Sequence, residues 1–227
     1  YRKPATTFNQ KAEALYQQNV LSVMEEVWHK EGERIDLVIF LNGIAIFTFE
    51  LKCNTSGQNY EDAIRQYKFE RDYKTRLLKF KAGCLAHFAM DLNEVYMCTN
   101  LKGKSSFFLP FNKGCGVGIH SGKGNPHNEN GINVSYMWED ILKKDTVLYL
   151  IDKIIFLQNQ TKKDPDTGKR VTKETLIFPR YHQFNAVRKL VADVVEHHSE
   201  KNYLIEHSAG SGKTNTIAWL AHRLASL

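Results

Sequence analysis

Two apolar runs, residues 34–41 and 44–52, flank the dipeptide Asn42-Gly43, and no other stretch of the 227-residue chain restricts the fold as tightly. Asn and Gly tolerate the left-handed backbone of a tight turn, and the runs are rich in β-branched and aromatic residues, so the segment predicts a β-hairpin. Each strand also carries charge where an apolar strand seldom does. Asp36 interrupts Ile35-Asp36-Leu37-Val38-Ile39-Phe40-Leu41, and Glu50 and Lys52 close Phe47-Thr48-Phe49-Glu50-Leu51-Lys52. Side chains alternate along a strand, so Glu50 and Lys52 share one face while Phe47, Phe49 and Leu51 take the other. Charges embedded in such strands need a partner, a metal or solvent to offset their desolvation. A metal site is one economical answer, and a solvated strand end is the plainer one.

The hairpin's register bears on that choice. A two-residue turn at Asn42-Gly43 would pair Asp36 with Phe49 and set the two carboxylates on opposite faces. A three-residue loop, Leu41-Asn42-Gly43 with Gly43 left-handed in a bulge, instead pairs Asp36 with Thr48 and brings Asp36, Glu50 and Lys52 to one face. The bulged form is expected. On that geometry Asp36 and Glu50, helped by the Leu51 carbonyl, would hold Mg²⁺ with several waters still attached. Such a metal polarises a phosphodiester and activates a bound water, while Lys52 orients that water or stabilises developing charge. Phosphodiester hydrolysis follows from this arrangement.

The rest of the chain frames the hairpin. Residues 8–18 space Phe8, Ala12, Leu15 and Tyr16 as a short helix, and 20–29 read as a strand. A charged helix is expected from Tyr60 into the seventies, with strands at 85–90 and 94–99. Residues 112–131 are loaded with Gly, Asn and Pro and favour a long irregular loop. Helical patterning returns at 138–158, where Ile141, Leu142, Leu148, Ile151, Ile154 and Ile155 offer a buried stripe. The polar stretch 159–175 around Asp164-Pro165-Asp166-Thr167-Gly168 reads as a linker. One domain over residues 1–158, a linker at 159–177 and a further unit at 178–227 are therefore expected. The chain opens on Tyr1 rather than Met and closes at Leu227 inside an apolar helical pattern, as a piece of a longer protein would.

Composition narrows the class only mildly. Lys and Arg outnumber Asp and Glu by 31 to 25, a net +6 that permits phosphate contact without demanding it. Cys53, Cys84, Cys98 and Cys115 never form a Cys-x-x-Cys pair, which argues against zinc and a disulfide framework and for a reducing cytoplasm. No apolar run approaches the roughly 18 residues of a membrane span, so no membrane partner is expected.

Two further segments carry chemistry. Residues 63–74 interleave basic and aromatic side chains, which makes Arg65, Gln66, Tyr67, Lys68 and Arg71 candidate DNA contacts, although a solvated amphipathic helix is the plainer reading. Near the end, residues 202–206 form a candidate strand, His207-Ser208-Ala209-Gly210-Ser211-Gly212-Lys213-Thr214 follow, and Ile217, Ala218, Leu220, Ala221 and Leu224 keep helical spacing. Strand, loop and helix make the setting of a phosphate-binding loop. Gly210, Ser211 and Gly212 would wrap a phosphate with backbone N–H groups, Lys213 would reach the terminal phosphates, and Thr214 would ligate Mg²⁺.

An aspartate followed by Glu-x-Lys on the next strand resembles the PD-(D/E)xK nucleases, with Ile35 where that family often has proline. RecB-like members carry Gln-x-x-x-Tyr on the following helix; Gln66 falls at the glutamine, whereas Glu70 stands at the tyrosine. Superfamily 2 helicases place an adenine-reading glutamine before their phosphate loop, and Gln183 in Phe178-Pro179-Arg180-Tyr181-His182-Gln183 matches it. Taken with Arg34 to Gly43, Phe49-Glu50-Leu51-Lys52, Phe108-Leu109-Pro110-Phe111-Asn112 and His207-Ser208-Ala209-Gly210-Ser211-Gly212-Lys213, the chain resembles the restriction subunit of type I restriction-modification enzymes along nearly its whole length.

That resemblance implies an α/β fold: a mixed-sheet, restriction-endonuclease-like nuclease core flanked by helices, then the first strand and helices of an incomplete RecA-like domain. It implies catalytic roles for Asp36, Glu50, Lys52 and Gln66, with Mg²⁺ and ATP as cofactors. It further implies double-stranded DNA as substrate, methyltransferase and specificity subunits as partners, and ATP-driven translocation in the whole protein. A DNA-repair nuclease-helicase and a non-catalytic NTP-dependent DNA-binding module are the alternatives. Glu13 on the first helix is the candidate third metal ligand.

Overall fold

The hairpin seeds a larger sheet. The computed structural model, which describes residues 1–4, 8–115, 122–163, 168–198 and 201–227, contains a mixed six-stranded sheet whose strands lie side by side in chain order. They are β1 (Leu21–Lys30), β2 (Glu33–Leu41), β3 (Ile44–Leu51), β4 (Ala86–Met90), β5 (Val95–Cys98) and the short β6 (Leu109–Pro110). All neighbours are antiparallel except β3 and β4, which run parallel. A parallel pair cannot be closed by a tight turn and needs a crossover. Here α2 (Tyr60–Phe69) lies within it, capped by Asn59, whose side chain accepts the Glu61 N–H while Asp62 accepts the Asn59 N–H.

The register differs from the expected bulged loop, and the difference matters. Leu41 pairs with Ile44 and Phe40 with Ala45, so the turn is the two-residue Asn42-Gly43 form, with φ of 51° and 80°. Three-residue looping is thus corrected: both turn residues accept the left-handed backbone that a tight hairpin requires. The extra residue sits deeper instead. Ile39 pairs with Phe47, which leaves Ile46 as a bulge within β3, and Val38 then faces Thr48 and Leu37 faces Phe49. Strand alternation beyond that last pair puts Asp36 on the same face as Glu50. The carboxylates share a face, as expected, but through a bulge that turn chemistry alone does not disclose.

Helices cover both faces of the sheet. On one, α2 presents Ala63 and Tyr67 to Val38, Ala89 and Cys98, all buried. On the other, Phe47, Phe49 and Phe88 meet Phe111 and the segment containing α3 (Lys144–Tyr149), flanked by π-helical turns at Met137–Ile141 and Leu150–Ile154. Ile141, Leu148 and Ile154 are buried there, as the apolar stripe predicts. The first helix, α1 (Gln10–Gln17), buries only Tyr16, whose hydroxyl donates to Asp145.

The C-terminal third departs most from expectation. The stretch read as a linker is a two-stranded ribbon, β7 (Phe156–Lys163) with β8 (Arg170–Ile177), paired from Phe156↔Ile177 to Lys163↔Arg170. Its turn residues 164–167 lie outside the described residues. Mostly exposed on both faces, it lacks the apolar alternation that marks a strand, and backbone pairing alone defines it. The expected strand at 202–206 does not form, and Leu204 is 96% exposed. A strand needs a neighbour to satisfy its backbone, and none of the described strands runs beside this one.

The helices after the ribbon, α4 (Tyr181–His197) and α5 (Lys213–Leu224), share the sheet's own core. Phe178 lies edge-on to Phe47, Phe88 and Phe111 at 6.0, 5.9 and 5.8 Å between ring centres. Trp219 of α5 donates its indole N–H to the Ile154 carbonyl, and Arg188 of α4 pairs with Asp140. Among the described residues no helix is long and apolar enough to cross a membrane.

Beneath α2 a buried polar chain runs from the Tyr67 hydroxyl to Thr48 Oγ1 and on to His87 Nδ1, at 2.8 Å in each step. Burial pushes the His87 imidazole down from 6.5 to about 3. A histidine held neutral in the folded state adds no acid penalty above 6.5, and below it the unfolded chain takes up the proton first. Each pH unit below 6.5 therefore costs about 1.4 kcal/mol, until the folded state itself protonates near 3. Urea unfolding of wild type and His87→Gln should show wild-type stability falling faster, by about 2 kcal/mol between pH 6.5 and 5. Parallel pH profiles would show that His87 titrates freely in the fold.

Candidate functional site

The β2–β3 ladder ends at Leu37 and Phe49, and the two strands part beyond it. In the fork the Asp36 carboxylate substitutes for a strand backbone: its Oδ2 accepts the Leu51 N–H at 2.7 Å. Asp36 is partly exposed, whereas Glu50 is fully buried. The two therefore meet different solvents. Burial pushes the Glu50 carboxyl up to about 8, aided by the charge of Asp36 and opposed by Arg71 and Lys52.

Arg71 is the partner that accounts for Glu50's burial. Just past the end of α2, it donates Nε to Glu50 Oε1 at 2.7 Å and Nη2 to Oε2 at 3.4 Å, and its side chain is 9% exposed. A buried carboxylate is tolerated only with such compensation. Lys52 leaves the strand with its N–H on the Met90 carbonyl and lines a shallow pocket of about 200 Å³ with Arg65 and Gln66. Gln66 Oε1 is buried there without a hydrogen-bond partner, a spare acceptor at the edge of the fork. Asp36 and Glu50 thus share a face at the end of β3, and Lys52 and Gln66 line the pocket beside it.

The helix candidates divide. Arg65 is exposed and Lys68 partly so, which leaves both open to a phosphate backbone. Tyr67 is a correction: it is 0% exposed, and its hydroxyl is bound to Thr48 inside the core. The aromatic–basic alternation on α2 reflects its buried stripe. Arg71 faces inward to Glu50 in the described structure. Sequence reasoning missed the Arg71–Glu50 pair and the Thr48–His87 link, because both join residues far apart in the chain and leave no local pattern.

The donor set suits a hard cation. Two carboxylates on one face, with Asp36 Oδ1 not engaged by Leu51, fit Mg²⁺, which binds through one or two carboxylates and keeps several waters. Among the described residues no group of three or more His, Cys, Asp and Glu side chains could cage a metal. Glu13, the expected third ligand, instead accepts from Gln17 on α1.

At the other end, the phosphate-loop candidates lie in a turn that opens α5, without the expected strand before it. Gly210 and Gly212 have φ of 72° and 83°, and Gly212 opens α5. Lys213 lies across the loop, donating to the His207 and Ser208 carbonyls at 2.9 and 3.3 Å. Gln183 is 4% exposed; its amide donates to the Ser211 and Gly212 carbonyls, and its oxygen accepts the Arg180 N–H. It braces the loop from behind. Gly212 must lack a side chain, since a Cβ there would lie 2.4 Å from Gln183 Nε2. Ser211 Oγ is buried without a partner, and Thr214 is exposed on the first turn of α5. A pocket of about 610 Å³ opens beside His207, Ser208 and Ser211, with Lys113 and Lys123 of the loop at 112–131 on its far wall; residues 116–121 of that loop lie outside the described residues.

Comparison with known proteins agrees with the resemblance read from sequence. Residues 9–106, from α1 through β5, match the family described as type I restriction enzyme R protein N terminus. The chain is 28% identical over 222 residues to a protein of Methanocaldococcus jannaschii assigned as the endonuclease subunit of the type I restriction enzyme MjaVIIIP. That alignment covers 90% of this chain and 18% of the relative, so the chain spans less than a fifth of that protein's length. No solved structure matches the chain significantly.

The division of α2 into buried and exposed candidates can be measured. Tyr67→Phe removes one buried hydrogen bond, so urea unfolding should show a loss of about 1 kcal/mol while duplex-DNA affinity stays at the wild-type value. Arg65→Ala should do the reverse, weakening binding by fluorescence anisotropy and lowering the salt slope by about 1, with stability unchanged.

Proposed function

We propose, from the match of residues 9–106 to the family described as type I restriction enzyme R protein N terminus, that the chain carries a Mg²⁺-dependent DNA nuclease centre joined to the start of an ATP-driven motor. The observation that supports it most is the register. A two-residue turn and a bulge at Ile46 together put Asp36 and Glu50 on one face, just beyond the last paired residues Leu37 and Phe49, with Lys52 further along β3's end. A merely structural pair of charges has no need of that coincidence.

Asp36 and Glu50 would hold the cation from the two sides of the fork, with the Leu51 carbonyl at the same strand end. Bound there, Mg²⁺ would supply charge to polarise a phosphodiester and a more acidic water. Lys52 stabilises negative charge developing on the phosphate and aims the attacking water, and Gln66 offers its unpartnered oxygen to hold that water. Arg65 and Lys68 on α2 contact the DNA backbone. The Gly210–Lys213 turn and Thr214 bind the phosphates of ATP with Mg²⁺, with Gln183 holding the loop in shape. In the whole protein these parts serve cleavage of double-stranded DNA coupled to translocation, alongside methyltransferase and specificity subunits.

Crystals soaked in Mn²⁺ should show an anomalous peak about 2.0–2.6 Å from the Asp36 and Glu50 carboxylates. Glu50→Ala in the full-length protein should lower DNA cleavage roughly 10²-fold or more while ATP hydrolysis persists. Lys213→Ala should remove ATP hydrolysis and leave the Mn²⁺ peak in place. Undiminished cleavage by Glu50→Ala would defeat the nuclease assignment.

A further inference from the structure

We propose that Arg71 is a gate on the paired carboxylates, holding Glu50 when the fork is empty and moving to a DNA phosphate when a divalent cation takes Glu50. The proposal rests on the nuclease reading above. Its basis is that one guanidinium engages both Glu50 oxygens, at 2.7 and 3.4 Å, on the face that Asp36 shares with Glu50. A cation ligated by Glu50 must take at least one of those oxygens.

The guanidinium cannot relieve the conflict by losing its proton, because arginine stays charged at any pH a protein survives. A divalent cation between Asp36 and Glu50 would then lie within a few ångströms of a fixed positive charge, with Lys52 close enough to act on Glu50 as well. Three cations carrying four positive charges would face two carboxylates. The compact solution is for the least constrained cation to leave. Lys52 is tied to the sheet through its backbone bond to Met90, whereas Arg71 lies two residues beyond the last residue of α2, after the helical bonds have ended.

What surrounds Arg71 also limits where it can go. Asp72, the neighbouring acid, is taken by Lys30 and by the Lys74 N–H, and Glu33 is taken by Lys30 and by the Asp72 N–H. His29, close enough to feel Arg71, is itself a base. Neither Asp72 nor Glu33 is thus free to take the displaced guanidinium. A phosphate beside Arg65 supplies a bidentate anionic partner of the kind that Arg prefers. The exchange would tie the two events together, since Arg71 becomes available to DNA only when the fork holds its metal.

The test is Mn²⁺ titration of the metal-free protein without DNA, comparing wild type with Arg71→Gln. Arg71→Gln should bind Mn²⁺ at least tenfold more tightly and, with non-cleaving Ca²⁺ present, bind duplex DNA more weakly with a salt slope reduced by about 1. Equal or weaker Mn²⁺ binding by a variant that still melts cooperatively overturns the gate and makes Arg71 a fixed structural partner. Mn²⁺ binding by neither chain overturns the nuclease reading as well. If Arg71→Gln does not fold, the wild-type Arg71 Nε–Hε resonance decides. It should shift when Mg²⁺ is added, and an unmoved resonance at saturating Mg²⁺ overturns the gate.

Discussion

A carboxylate with no exposed surface, Glu50, sets the terms for everything around it. Removing such a charge from water costs several kcal/mol unless the protein returns the lost hydrogen bonds. The return here comes from Arg71, which reaches in from beyond α2, and it comes only because the β3–α2–β4 crossover lays that helix across this face of the sheet. Asp36 raises the cost further by bringing a second carboxylate to the same face, and this is an arrangement that a cation would relieve. A strand that wanted only stability would have placed an apolar residue at position 50.

The remainder of the sheet supports that one position. Phe47 and Phe49 anchor β3 from the opposite face among Phe88, Phe111 and Phe178, so the strand cannot shift to expose its acid. Thr48, two residues before Glu50 on the α2 face, ties the strand to Tyr67 and His87. Rigidity on both sides leaves the fork between β2 and β3 as the place where side chains can rearrange. Asp36 is braced by the Leu51 N–H, whereas Lys52 and Gln66 line the pocket beside the strand end.

The C-terminal segment shows how local bonds hold a turn in the absence of a neighbouring strand. The turn, its two left-handed glycines and the helix after it form, and Gln183 locks them from behind, because each depends on bonds within some thirty residues. The strand before the loop does not form, because a parallel strand depends on neighbours that the described residues do not provide. Phe178, Phe184, Val187 and Trp219 nonetheless join the core beneath the six-stranded sheet, so the C-terminal helices and the sheet share one apolar layer.

Local chemistry alone fixed a good deal about this protein. Asn42-Gly43 dictated the hairpin, strand alternation put Glu50 and Lys52 on one face, and Gly210 to Lys213 specified a glycine turn that opens a helix, since each rests on contacts between residues close in the chain. Tertiary structure decided the rest. The bulge at Ile46, and not the turn, brings Asp36 to the face of Glu50; α2 buries Tyr67 and carries Arg71 inward; and residues 156–177 pair as a ribbon where polar composition suggested a linker. In each case the deciding energy is a long-range one, either backbone pairing between strands or compensation of a buried charge, and no window of sequence contains both partners.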